Sequence, residues 1–161
     1  MKLTLIDDIN FGSDLDQDFH TLTRLVDEQL GTLPGQLNLI LCGDEKIQEL
    51  NKAYRKKDKV TDVLTFPYFE GETQADELLG EIYIDVDQAR RQAGAVTDDK
   101  ETWYHEWMFD DHKSWTVSFE MYKLCSHGLL HLRGYDHIED DDFRVMKLLE
   151  DKIMKSLMAS H

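Results

Sequence analysis

The sequence predicts an α+β fold of compact α/β type, a small mixed sheet of about four strands covered mainly on one face by helices. Three observations point there. Short apolar runs rich in β-branched residues (KLTLID, LNLILC, TDVLTF, LLGEIYIDV) are interspersed with longer stretches whose apolar residues recur at helical spacing. The runs around Val63 and Ile82 have no helix between them, which implies at least one antiparallel pair. A chain of 161 residues with 41% hydrophobic content is enough for one core, and only two prolines and nine glycines interrupt it.

Taken in order, KLTLID reads as the first strand. A helix from about Ser13 to Leu30 follows, with Phe19, Leu22, Val26 and Leu30 on one stripe and Ser13 or Asp14 as its cap. Leu37 to Cys42 is a mostly apolar strand, and Asp44 is the expected N-cap of a helix through IQELNKAYR. TDVLTFPYF carries a short strand whose Pro67 marks an edge or an exit. LLGEIYIDV is the fourth strand, and the helix VDQARRQAG after it is expected to end at Gly94.

Residues 97–115, TDDKETWYHEWMFDDHKSW, are acidic, aromatic and weakly periodic, and they hold all three tryptophans. Such a stretch is either a packed surface excursion or a lid. Its His105 and His112 lack a matched partner spacing and read as surface histidines. From Thr116 to Leu132 the pattern supports a long, mostly buried helix. The last segment places acids in its first turn, suiting the helix dipole, and sets Phe143, Met146, Leu149, Ile153 and Leu157 on an apolar stripe. The whole, residues 1–161, is expected to form one domain.

No signal sequence and no apolar run near the roughly 20 residues that cross a bilayer are present, so a cytoplasmic protein with no membrane partner is expected. Cys42 and Cys125 lie in apolar stretches and read as buried small hydrophobes. A net charge of -15 argues against nonspecific attraction to polyanions. One run, NKAYRKKDKV, opposes that balance with Lys52, Arg55, Lys56, Lys57 and Lys59. Taken alone it reads first as a solvated surface loop.

The chemistry concentrates in HGLLHLRGYDH, where His127, His131 and His137 stand at i, i+4 and i+10 with Gly134 between the last two. Histidines four apart on a helix project from one face, so both can reach one ion at the end of the long helix. Gly134 can take a positive φ and reverse the chain, which returns His137 as a third ligand. Neutral imidazole suits Zn2+ best, one ion per chain, although other divalent transition metals accept it. Three protein ligands leave an open position, the mark of a catalytic site.

A metalloprotease with this spacing keeps a glutamate beside the first histidine, and Gly128 stands there instead. Zinc lowers the pKa of a bound water to about 7, so the carboxylate is not strictly required. Peptide hydrolysis becomes a weaker reading than attack on a phosphodiester, whose charged oxygens a guanidinium can hold; Arg55 is the candidate. Asp136 is either a carboxylate that orients a ligating imidazole or a turn residue bonded to local backbone.

These residues resemble the YbeY family of single-strand-specific endoribonucleases. HGLLHLRGYDH is similar to its H-G-x-x-H-x-x-G-[YF]-[DT]-H signature, LNKAYRKKDKVTDVLTFPY to its L-N-x-x-Y-R-x-x-D-x-x-T-D-V-L-S-F-P block, and LLGEIYIDVDQARRQA to its L-G-D-I-x-I segment. Thr65 stands for the block's serine and Glu81 for the aspartate, and residues 97–115 look like an insertion. The resemblance implies zinc on His127, His131 and His137, a phosphate-contacting Arg55 and single-stranded RNA as substrate; Lys56, Lys57 and Lys59 of the basic run are expected to help hold the RNA backbone. It further implies maturation of the 16S ribosomal RNA 3′ end and ribosome quality control, with ribosomal subunits and ribosome-associated proteins as partners. Two alternatives stay open: a zinc-dependent peptide or acyl hydrolase, and a noncatalytic RNA-binding assembly factor.

Overall fold

The structure is a computed structural model and describes residues 1–12, 14–98, 116–136 and 138–160. Its elements are β1 (Lys2–Asp7), α1 (Asp16–Leu30), β2 (Gln36–Cys42), α2 (Asp44–Arg55), β3 (Val63–Pro67), β4 (Leu78–Asp85), α3 (Val86–Asp98), α4 (Val117–Leu132) and α5 (Asp140–Ala159). The strands form one sheet in the order β1-β2-β4-β3. β1 and β4 both run parallel to β2, whereas β3 returns antiparallel to β4 with Thr65 opposite Ile82. The mixed sheet and antiparallel pair expected from the sequence are therefore present. Pro67 closes β3 on the outer edge, where its missing N–H interrupts no ladder.

Alternation along the strands splits the apolar residues between two faces. Leu37, Leu39, Leu41, Ile82 and Ile84 join Phe19, Leu22 and Val26 of α1 and Met121, Leu124 and Leu129 of α4 in the main core. The opposite face has a smaller core of Cys42, Ile47, Leu50 and Leu64 beneath α2. Helix α4 has more buried residues than any other element: eleven of its sixteen are buried. Fully burying one large apolar side chain is worth roughly 1.5–3 kcal/mol, so α4 is held firmly where it lies.

Four local expectations are corrected. Helix α1 begins at Asp16 with Leu15 as its N-cap and no side-chain cap bond, so Asp14 does not cap it; Ser13 lies outside the described residues. Gly43, not Asp44, is the N-cap of α2, and the N–H of Asp44 donates across the fold to Asp87 Oδ2 (3.1 Å). Helix α3 runs through Gly94 to Asp98, because a helix tolerates one glycine at a cost of roughly 1 kcal/mol when good formers flank it. Phe143 is 50% exposed; the buried stripe of α5 is Met146, Glu150, Ile153, Met154, Leu157 and Met158, so a carboxylate occupies a place the apolar pattern did not assign. Apart from Thr97 and Asp98, the acidic aromatic stretch lies outside the described residues, with His105, His112 and the tryptophans.

Candidate active site

Helix α4 is started by Thr116, whose hydroxyl accepts from the Phe119 N–H (3.2 Å). It stops in a Schellman turn: Gly134, at φ +93°, donates to the His131 carbonyl (3.0 Å) and Tyr135 to that of Leu130 (3.0 Å). The positive φ expected of Gly134 is thus observed. Arg133 ties this end to α1 through Asp27 Oδ1 (3.1 Å) and the Gly31 carbonyl (2.7 Å), so its guanidinium is committed to structure. The reversal returns the chain to the helix end, and Asp136 and Ile138 line the same cleft as His127 and His131. His137, between them, lies outside the described residues.

The two helix histidines converge, with Nε2 atoms 2.9 Å apart and ring centroids at 4.5 Å. His127 is oriented from behind, its Nδ1 paired with Oε1 of the buried Glu150 on α5. A carboxylate on Nδ1 favours the tautomer whose Nε2 carries the lone pair, as it does for metal-ligating imidazoles. The opposite wall is the end of α2 and strand β3. Arg55, Asp62, Val63, Thr65 and Pro67 complete a cleft of about 510 Å³. Arg55 reaches it as the last residue of α2, which ends where Lys56 turns to φ +57°.

Lys56, Lys57 and Lys59 are exposed and do not line the cleft; they sit on the loop that approaches it. That loop is folded back by Asn51, whose side chain donates to the Lys59 carbonyl (3.0 Å). Asp136 lines the cleft and accepts from the Ile138 N–H (3.3 Å), the local backbone bond of a turn residue.

Gly128 has a steric explanation. A Cβ at this position would lie 2.9 Å from Ile82 Cγ2 and 3.1 Å from Thr65 Oγ1. The residue faces the sheet, and Thr65 spans the contact by donating to the Gly128 carbonyl (3.4 Å). No glutamate fits where the protease pattern would have one, so the peptide-hydrolase reading loses its general base to packing.

Sequence reasoning missed Asp62, Thr65 and Glu150. Asp62 and Thr65 lay in the quoted TDVLTF block without a role. Glu150 follows His127 by 23 residues, and no spacing rule links residues that far apart on separate helices.

Fold and cleft together define a class of α+β proteins in which one buried helix delivers paired imidazoles to the edge of a mixed sheet, facing an arginine. The chain belongs to the endoribonuclease YbeY family, whose profile matches residues 7–158. It is similar to the endoribonuclease YbeY of Thermodesulfovibrio yellowstonii, 38% identical over 124 residues that are 75% of this chain and 66% of that one. It is also similar to that of Ureaplasma parvum, 37% identical over 145 residues, 88% of this chain and 80% of the relative. Among solved structures it resembles the solution structure of TM1509 from Thermotoga maritima, with TM-score 0.64 and 27% identity over 98% of this chain and 90% of the other. Among the described residues no helix is long and apolar enough to cross a membrane.

Proposed function

We propose that the chain is a metal-dependent endoribonuclease cutting single-stranded RNA, with Zn2+ held by His127, His131 and His137. The observation that carries this is the convergence of two Nε2 atoms, 2.9 Å apart, in a cleft walled by Arg55. The donor set fits a zinc ion: two imidazole nitrogens meet at one point, and a buried carboxylate orients the first. Asp136 and Ile138, both at the cleft, support His137 as the third donor.

When bound, the cation supplies Lewis acidity toward a phosphate oxygen. The protein's own groups do the rest. Arg55 can grip two nonbridging oxygens with its planar fork and orient the phosphodiester toward the histidines. Asp62 and Asp136 are the carboxylates lining the cleft, placed to hold or pass a proton at the reacting oxygens. Lys56, Lys57 and Lys59 attract the RNA backbone along the approach.

With a net charge of -15, long-range attraction to RNA is weak. Recruitment through ribosomal subunits or ribosome-associated proteins, in the cytoplasm, then brings the enzyme to ribosomal RNA, including the 16S 3′ end.

The test is cleavage of a defined single-stranded RNA by the purified chain, before and after chelation, with His131→Ala and Arg55→Ala alongside. Cleavage lost on chelation and in His131→Ala, with an unchanged circular dichroism spectrum, is the expected result. Unchanged activity in His131→Ala would remove the metal from the mechanism. RNA binding without cleavage under every metal would make the protein an assembly factor.

A further inference from the structure

A second group of metal-ligating side chains lies outside the histidine cleft, where β2 and β4 end and helices α2 and α3 begin. Asp44, Asp85 and Asp87 each bring one carboxylate oxygen to within 4.8 Å of the others. The acids have conventional duties. Asp87 Oδ2 accepts from the Asp44 N–H (3.1 Å), Asp85 Oδ1 accepts from the Asp87 N–H (3.0 Å), and Arg91 takes both oxygens of Asp44 at 2.6 and 3.0 Å. Helix capping and one ion pair account for these contacts.

One atom is left over. Asp85 is fully buried, and its Oδ2 meets no hydrogen-bond donor among the described residues. A buried carboxylate oxygen without a donor is destabilising, and more so when charged. Its acidic neighbour Asp44 can relieve it only through a shared proton, and burial together with that neighbour pushes Asp85 up to about 7. A surface cleft reaches the group at Gly43, Asp44 and Asp87, with Asp85 beneath it. Gly43 leaves clear a position where a Cβ would stand 3.0 Å from Asp87 Oδ2. The adjoining surface cleft also presents Glu45 and Glu49, against the single Lys46.

We propose that Asp44, Asp85 and Asp87 hold a hard divalent cation, of the Mg2+, Mn2+ or Ca2+ class, in a second site that shares no lining residue with the histidine cleft. Oxygen-only donors select such ions over those preferred by imidazole. The cation satisfies Asp85 Oδ2, and Asp44 turns part of its carboxylate from the exposed, movable Arg91 toward it. Because the site sits where two strands pass into two helices, occupancy braces α2, the helix that ends in Arg55.

The test is Mn2+ titration of the full chain followed by electron paramagnetic resonance, with one equivalent of Zn2+ added first to occupy the histidines. One saturable Mn2+ per chain is expected, with a dissociation constant below about 1 mM, displaced by Mg2+ or Ca2+. Asp85→Asn and Asp87→Asn should each weaken it at least about tenfold, while His131→Ala leaves it unchanged. If Asp85→Asn does not fold, Asp87→Asn, at the rim, decides the matter. Wild-type binding indistinguishable from that of Asp87→Asn, or binding lost only in His131→Ala, overturns the proposal. Neither result depends on whether the chain cleaves RNA.

Discussion

Replacing Gly128 by alanine sets two effects against each other. Alanine in a helix interior is favoured over glycine by roughly 1 kcal/mol. The new methyl would lie 2.9 Å from Ile82 Cγ2, 3.1 Å from Thr65 Oγ1 and 3.2 Å from Ile82 Cδ1. Ile82 is fully buried on β4, a strand paired on both sides, so it has nowhere to turn. Overpacking of this kind costs roughly 1–3 kcal/mol. Clash exceeds propensity, and Gly128→Ala should destabilise the protein by up to about 2 kcal/mol. Gly94, inside α3, is the internal control, because a Cβ there meets nothing within 4 Å. Gly94→Ala should stabilise by about 0.5–1 kcal/mol. Urea denaturation of both variants measures the difference directly from the midpoints at constant slope. Equal stabilisation by the two substitutions would show that α4 does not press on the sheet, and the steric account of the missing glutamate would fall with it.

Other consequences are open to measurement. Glu150→Gln removes the charged acceptor behind His127 and should weaken zinc binding about 10- to 100-fold in a competitive chelator titration, with the fold retained; unchanged affinity would mean that Glu150 is only packing. The Asp7 carboxylate is partly buried, which works against its charge, but the backbone N–H groups of Phe11, Gly12, Ile9 and Asn10 outweigh this and hold its pKa below 3.8. Its contribution is therefore complete above that value and lost as pH falls through the lower folded value; Asp7→Asn should narrow its stability gap from wild type below pH 3.8, and a gap constant with pH would contradict this. Burial, reinforced by nearby acids such as Asp85, pushes the Cys42 thiol up to about 12, and burial also raises Cys125. Both thiols should stay unmodified by a disulfide reagent at pH 8 until the protein unfolds, and rapid labelling of the native chain would show that these sites open.

Much of the fold was legible because apolar spacing is a local signal. Phe19, Leu22 and Val26 announce one helix face, and the absence of a helix between Val63 and Ile82 announces the antiparallel pair. HGLLHLRG encodes its geometry outright: four residues make just over one helical turn, and glycine alone adopts Gly134's backbone without strain. Phe143 misled because periodicity identifies an apolar side chain and says nothing of whether a partner waits opposite it.

The sequence by itself determined the strands and helices, the shared face of His127 and His131, and the turn that returns the chain to them, since each depends on residues within a few positions of one another. Tertiary structure alone decided that β4 lies between β2 and β3, that Glu150 stands behind His127, and that Arg55 and Asp62 face the histidines. It also decided that three aspartates, one from a strand end and two from helix starts, come together. Those contacts join residues far apart in the chain, and they exist because the buried faces of α4 and the sheet can be satisfied together only in this packing.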